Sequence, residues 1–152
     1  MKRAEIVQQF VAALEAGDVE MAARYLSDDF TFSGLTSLPM MREQYLEVQS
    51  GLRSAFPDLH FNLRDIREEA GVVKATVHVT GTQRGDLVLP LPDLPAVRTT
   101  GKPISLRDET QIFTVRGSKI GSIKVLLFPN GGFQGLYWQL GARLPVPKDV
   151  PG

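Results

Sequence analysis

Apolar positions along the chain keep a helical period through the first third and a two-residue period after it. Ile6, Val7, Phe10, Val11 and Leu14 fall on one face of a helix over residues 3–16, which Gly17 ends. Asp18 is placed to cap a second short helix with Met21, Ala22, Tyr25 and Leu26 as its buried stripe. Ser27-Asp28-Asp29 then turns the chain into a short strand, Phe30-Thr31-Phe32. Ser37-Leu38-Pro39, with Pro39 in the first turn, opens a third helix that runs to about Phe56 and buries Met41, Tyr45, Val48, Leu52 and Ala55. Pro57-Asp58 breaks it.

From Leu59 the alternation predicts strands over 59–69 and 72–82, joined at Glu69-Ala70-Gly71 as a hairpin. Residues 83–103 carry Pro90, Pro92, Pro95 and Pro103 and read as a long ordered loop with the character of a lid. Strands over 104–116 and 119–128 meet at Arg116-Gly117-Ser118-Lys119, and a helix follows from Phe133 to Leu140. The order predicts an α+β fold: a curved, mainly antiparallel sheet forming a cone-like half-barrel around the N-terminal helices, with a pocket at its open end. Residues 1–141 are expected to form one domain. The Pro-rich tail, 142–152, is expected to be a poorly ordered arm or a strap across a partner.

The bulk numbers narrow the function classes. A chain of 152 residues supports one core, and 17 basic against 17 acidic residues give no formal net charge. That argues against a nucleic-acid surface or a membrane-binding patch as the main function. With no cysteine there is no disulfide, thiolate nucleophile or cysteine-based metal site. His60 and His78 lack a clear third ligand, and no Gly-x-Gly-x-x-Gly links a strand to a helix, so neither metal nor cofactor is expected. No run approaches the ~20 apolar residues that span a bilayer, and the expected compartment is the cytoplasm.

Several residues could carry chemistry in such a pocket. A regular strand puts Glu109 on one face with Arg107, Gln111 and Phe113. If that face is inward, Glu109 is a candidate general base, its pKa raised by apolar burial; if outward, it pairs with Arg107. Gln111 can hydrogen-bond a carbonyl or enol without ionising, or it is a solvated strand position. His78, in mid-strand, can exchange a proton near neutral pH, or faces solvent or a dimer contact. Phe32, Tyr45 and Phe113 are candidate ligand contacts, or plain core. Trp138 lies off the Phe133, Leu136, Tyr137, Leu140 stripe, so it covers the pocket mouth or meets a partner.

A resemblance runs through the second half. Its pieces are Phe56-Pro57-Asp58-Leu59, Thr80-Gly81-Thr82-Gln83-Arg84-Gly85, Gly101-Lys102-Pro103-Ile104-Ser105, Ile112-Phe113, Lys119-Ile120 and Gly135-Leu136-Tyr137-Trp138-Gln139-Leu140-Gly141. In this order they resemble the SnoaL-like polyketide cyclase family of the nuclear-transport-factor-2-like superfamily. The resemblance implies the cone-like fold, a homodimer and an apolar, carbonyl-bearing small molecule as ligand. In such cyclases an aspartate after the Lys-Ile pair acts as general acid/base in an intramolecular aldol closure. Here that segment continues Gly121-Ser122-Ile123-Lys124-Val125-Leu126, and no carboxylate stands between Lys119 and Lys148. The nearest polar candidate is Asn130, whose amide does not usefully exchange protons near neutral pH. A related epoxide-hydrolysing branch of that superfamily uses an Asp-Arg-Asp arrangement around a water; Asp65, Arg107 and Asp108 supply those residue types, though their spacing does not single them out. Two functions follow: a cyclase- or isomerase-type enzyme using Glu109, Gln111 or His78, or a binding or association module that kept the fold without the aspartate.

Overall fold

The computed structural model describes residues 1–144; the rest of the tail expected at 142–152 lies outside the described residues. Helix α1 (Arg3–Glu15) buries Ile6, Val7, Phe10, Val11 and Ala13. Helix α2 (Val19–Arg24) starts at the Asp18 cap, whose carboxylate accepts the Met21 amide at 3.1 Å. Strand β1 (Leu26–Ser33) is longer than the expected Phe30-Thr31-Phe32, and both phenylalanines point into the core.

Pro39 is not in a helical first turn. Met40 pairs with Phe32 as a two-residue strand, β2 (Met40–Met41), and α3 (Arg42–Ala55) begins only after it. Burial of the Met40 side chain, 1% exposed, favours that pairing over an earlier helix start.

The predicted strand 59–69 is ordered as β3 (Arg64–Glu69) alone. Asn62 and Asp65 adopt left-handed backbone (φ 48° and 52°), which breaks the alternation, and the Asn62 amide donates to the His78 carbonyl at 2.8 Å. The remaining strands are β4 (Val72–Val77), β5 (Thr80–Thr82), β6 (Pro103–Ser105), β7 (Glu109–Arg116) and β8 (Lys119–Leu126), before α4 (Gly132–Gln139). The main sheet has the order β2-β1-β8-β7-β4-β3, antiparallel except for the β1–β8 pair, and β5 pairs with β6 in a second small sheet. The architecture is therefore α+β, with a mostly antiparallel curved sheet and four helices.

One irregularity positions the site. Thr80 pairs with Ser105 and Val77 with Glu109, so three steps along one strand oppose four along the other. The extra residue is a β-bulge in the Leu106–Asp108 stretch, where the ribbon bends from one sheet into the other. Before it, Ile104 and Leu106 are buried; after it, Glu109, Phe113 and Val115 are. The bulge changes parity, so Arg107 and Glu109 do not share a face as a regular strand requires.

The 83–103 loop is tied down rather than free. Leu87 and Leu89 are buried, and Leu87 and Val97 bridge each other. Gln83, fully buried, donates to the carbonyls of Gly85 (3.1 Å) and Val97 (3.2 Å) and accepts from the Thr100 amide (3.0 Å) and hydroxyl (2.6 Å). Among the described residues no helix is long and apolar enough to cross a membrane.

Candidate functional site

Helices α1 and α3, the inner face of β4–β7 and the start of α4 enclose a cavity of about 70 Å³. Its walls are mostly apolar, with Phe10, Phe32, Phe56, Val77 and Leu136 among them. Four side chains bring polar atoms to it: Tyr45, Gln49, Glu109 and Gln111. Among the described lining residues Glu109 is the sole carboxylate.

Glu109 is 5% exposed, which overturns the solvent-facing pair with Arg107. Loss of hydration raises its pKa above the ordinary value, and a hydrogen bond from Gln111 pulls partly the other way. The Gln111 Nε2 donates to Glu109 Oε2 at 3.2 Å. These two residues stand two apart on β7, as strand alternation requires, so the pair is local in sequence.

Tyr45 lies opposite on α3. Its ring packs among Phe32 (centroids 4.8 Å apart), Phe30 (5.2 Å) and Phe10 (6.4 Å). Burial, and then the nearby Glu109 charge, push its hydroxyl well above the usual phenol value. The hydroxyl thus stays protonated and is available as a donor near neutral pH. Gln49, one helical turn beyond Tyr45, is a lining residue the sequence reading missed; its i, i+4 relation to Tyr45 was the available signal.

The other candidates stand elsewhere. His78 lies outside the cavity. Its Nε2 contacts Ser105 Oγ at 2.7 Å and its Nδ1 contacts Asp108 Oδ1 at 3.0 Å, while Arg64 holds the other Asp108 oxygen. Both ring nitrogens are engaged, because the step after Val77 turns this side chain to the outer side. Phe113 is wholly buried core and does not line the cavity. Trp138 is 76% exposed on the far side of α4, beside Asn130 and Gln134, away from the cavity. Asp65 is exposed, and Arg107 donates to the Pro129 carbonyl at 3.0 Å and lies over the Phe128 ring; neither they nor Asp108 reach the cavity. Among the described residues no group of three or more metal-ligating side chains converges.

The sequence profile of the SnoaL-like domain matches residues 7–123, which include the cavity walls from α3 and β7 but not the α4 wall. The chain belongs to the SnoaL-like domain family. No curated protein sequence matches it. Among solved structures, AclR from Streptomyces galilaeus, a candidate hydroxylase, is 21% identical, with 96% of this chain and 85% of that one covered and a TM-score of 0.74. IdmH from Streptomyces antibioticus, a candidate polyketide cyclase, is 19% identical, with 93% and 100% covered and a TM-score of 0.70. A Catenulispora acidiphila protein with a ketosteroid isomerase-like fold, in complex with trimethylamine, is 17% identical, with 97% and 98% covered and a TM-score of 0.66. At these identities the likeness establishes the SnoaL-like, nuclear-transport-factor-2-like fold.

Proposed function

We propose that this SnoaL-like protein is a cyclase- or isomerase-type enzyme that moves a proton on an apolar, carbonyl-bearing small molecule. The observation that carries the reading is Glu109: one buried carboxylate, its pKa raised, facing an apolar cavity with hydrogen-bond donors beside it. A raised pKa brings a carboxylate nearer to working pH and to the acidity of a carbon flanked by carbonyls.

In this account Glu109 takes the proton from the carbon next to the carbonyl. The electron pair moves onto the carbonyl oxygen, where the Tyr45 hydroxyl stabilises it by hydrogen bonding. Glu109 then returns the proton, to the same carbon or to a new position. Gln111 is a positioning residue: its amide fixes the carboxylate and limits the rise in its pKa. The cyclase naming of IdmH is consistent with this chemistry. We further place the protein in the cytoplasm as a homodimer, with the exposed Leu126 and Phe128 beyond the outer sheet face available to a second copy.

The second reading, a non-catalytic binding module, draws on the carboxylate-free segment after Lys119. Deuterium uptake separates the two. The wild type in D2O should exchange the proton between the carbonyls of a short 3-oxoacyl thioester faster than buffer, and Glu109→Gln should lose about 10²–10⁴-fold while still binding it. Equal exchange by both proteins rejects the enzymatic reading.

A further inference from the structure

The inner cavity is small for any ring-forming substrate. Its volume of about 70 Å³ is well below the roughly 150 Å³ that admits a benzene ring. A carbonyl and its neighbouring carbons fit; the rest of a larger molecule must lie elsewhere. A second hollow of about 580 Å³ lies between the turn after β1, residues 91–94 of the long loop and the start of α4. Leu35 and Phe133 line both spaces. Each is half-buried, and Gly132 beside Phe133, at φ 61°, packs so closely that a Cβ there would come within 3.1 Å of Leu127 and 3.2 Å of Leu35.

We propose that Leu35 and Phe133 form the threshold between a reaction chamber and an outer groove, and that the substrate is an elongated, uncharged compound spanning both. The carbonyl head sits beside Glu109 and the apolar tail lies in the outer groove. This rests on the Glu109 reading for the position of the head. The groove itself specifies the tail. Leu38, Leu91, Leu94 and Leu127 make it apolar, whereas Asp93 is its only charged side chain among the described residues. With no lysine or arginine among the described lining residues to offset it, Asp93 disfavours a tail ending in a carboxylate.

The test uses the full chain carrying Glu109→Gln, which prevents turnover, and titration calorimetry with 3-oxoacyl N-acetylcysteamine thioesters of four, eight and twelve carbons. Affinity should rise at least tenfold from four to eight carbons as the tail enters the groove. Adding Leu35→Trp should abolish the gain with length, with the four-carbon probe as the reference in the same variant. A second variant, Asp93→Lys, changes an exposed side chain and so spares the fold. It should raise affinity for an ω-carboxylate eight-carbon probe several-fold and leave the neutral probe unchanged. Affinity independent of length, a gain that survives Leu35→Trp, or no binding of any probe overturns the proposal. Length-dependent binding without wild-type deuterium exchange keeps the groove and rejects the catalytic reading instead.

Discussion

Gln111 donates its side-chain amide to the carboxylate of Glu109 across 3.2 Å, inside a cavity walled by hydrocarbon apart from Tyr45 and Gln49. The bond favours the charged form of Glu109, and burial opposes it more strongly. The result is a carboxylate fixed in direction but held above its ordinary pKa. That combination links the packing of the fold to a proton-transfer role.

It has a consequence for stability. Because the Glu109 pKa is higher in the folded than in the unfolded chain, the folded protein holds more protons between the two values. Stability therefore falls as pH rises from the ordinary value of 4.5 through the raised one, and is level with respect to this group above it. Glu109→Gln should remove that slope and melt higher than wild type at neutral pH. Melting temperature against pH for the two proteins checks this.

Tyr45→Phe keeps the ring stack with Phe30 and Phe32 and removes the hydroxyl. Stability should change by less than about 1 kcal/mol. The proton-exchange rate should fall about 10²–10³-fold, the usual loss of one donor to a developing oxyanion. Calorimetric melting together with deuterium uptake measures both.

His78→Ala should leave exchange in the chamber within about twofold of wild type, since the ring is bonded to Ser105 and Asp108 outside the cavity. A loss approaching that of Glu109→Gln would restore the histidine to the mechanism.

Gln83→Leu strips four hydrogen bonds from a fully buried site and leaves backbone groups of the long loop without partners. The cost should be at least about 1–3 kcal/mol. Hydrogen exchange should quicken at Val97 and Thr100 before it does in β7.

Much of this was legible in the sequence. Helical spacing placed Ile6, Phe10, Tyr45 and Val48 inside, and alternation placed Val73, Ala75 and Val77 together. The pocket face of β7 was harder to read. Counting from buried Ile104 and Leu106, a regular strand would turn Asp108 inward and Glu109 out; the bulge reverses them. A bulge without a glycine leaves no mark in the residue types, so the outward pairing of Glu109 with Arg107 stood open beside the inward reading. Asn62 ended a strand that alternation alone would continue, because its side chain satisfies the His78 carbonyl. Gln49 escaped notice because a polar residue beside an apolar stripe ordinarily marks its solvent edge.

The most direct test of the central claim needs no substrate. Carboxyl ¹³C chemical shifts of glutamates in the wild type, assigned to Glu109 by loss of its signal in Glu109→Gln, report its titration. A midpoint clearly above the ordinary value of 4.5 is the expected result. A midpoint at or below that value would mean a solvated carboxylate, and would contradict a buried proton acceptor in this cavity.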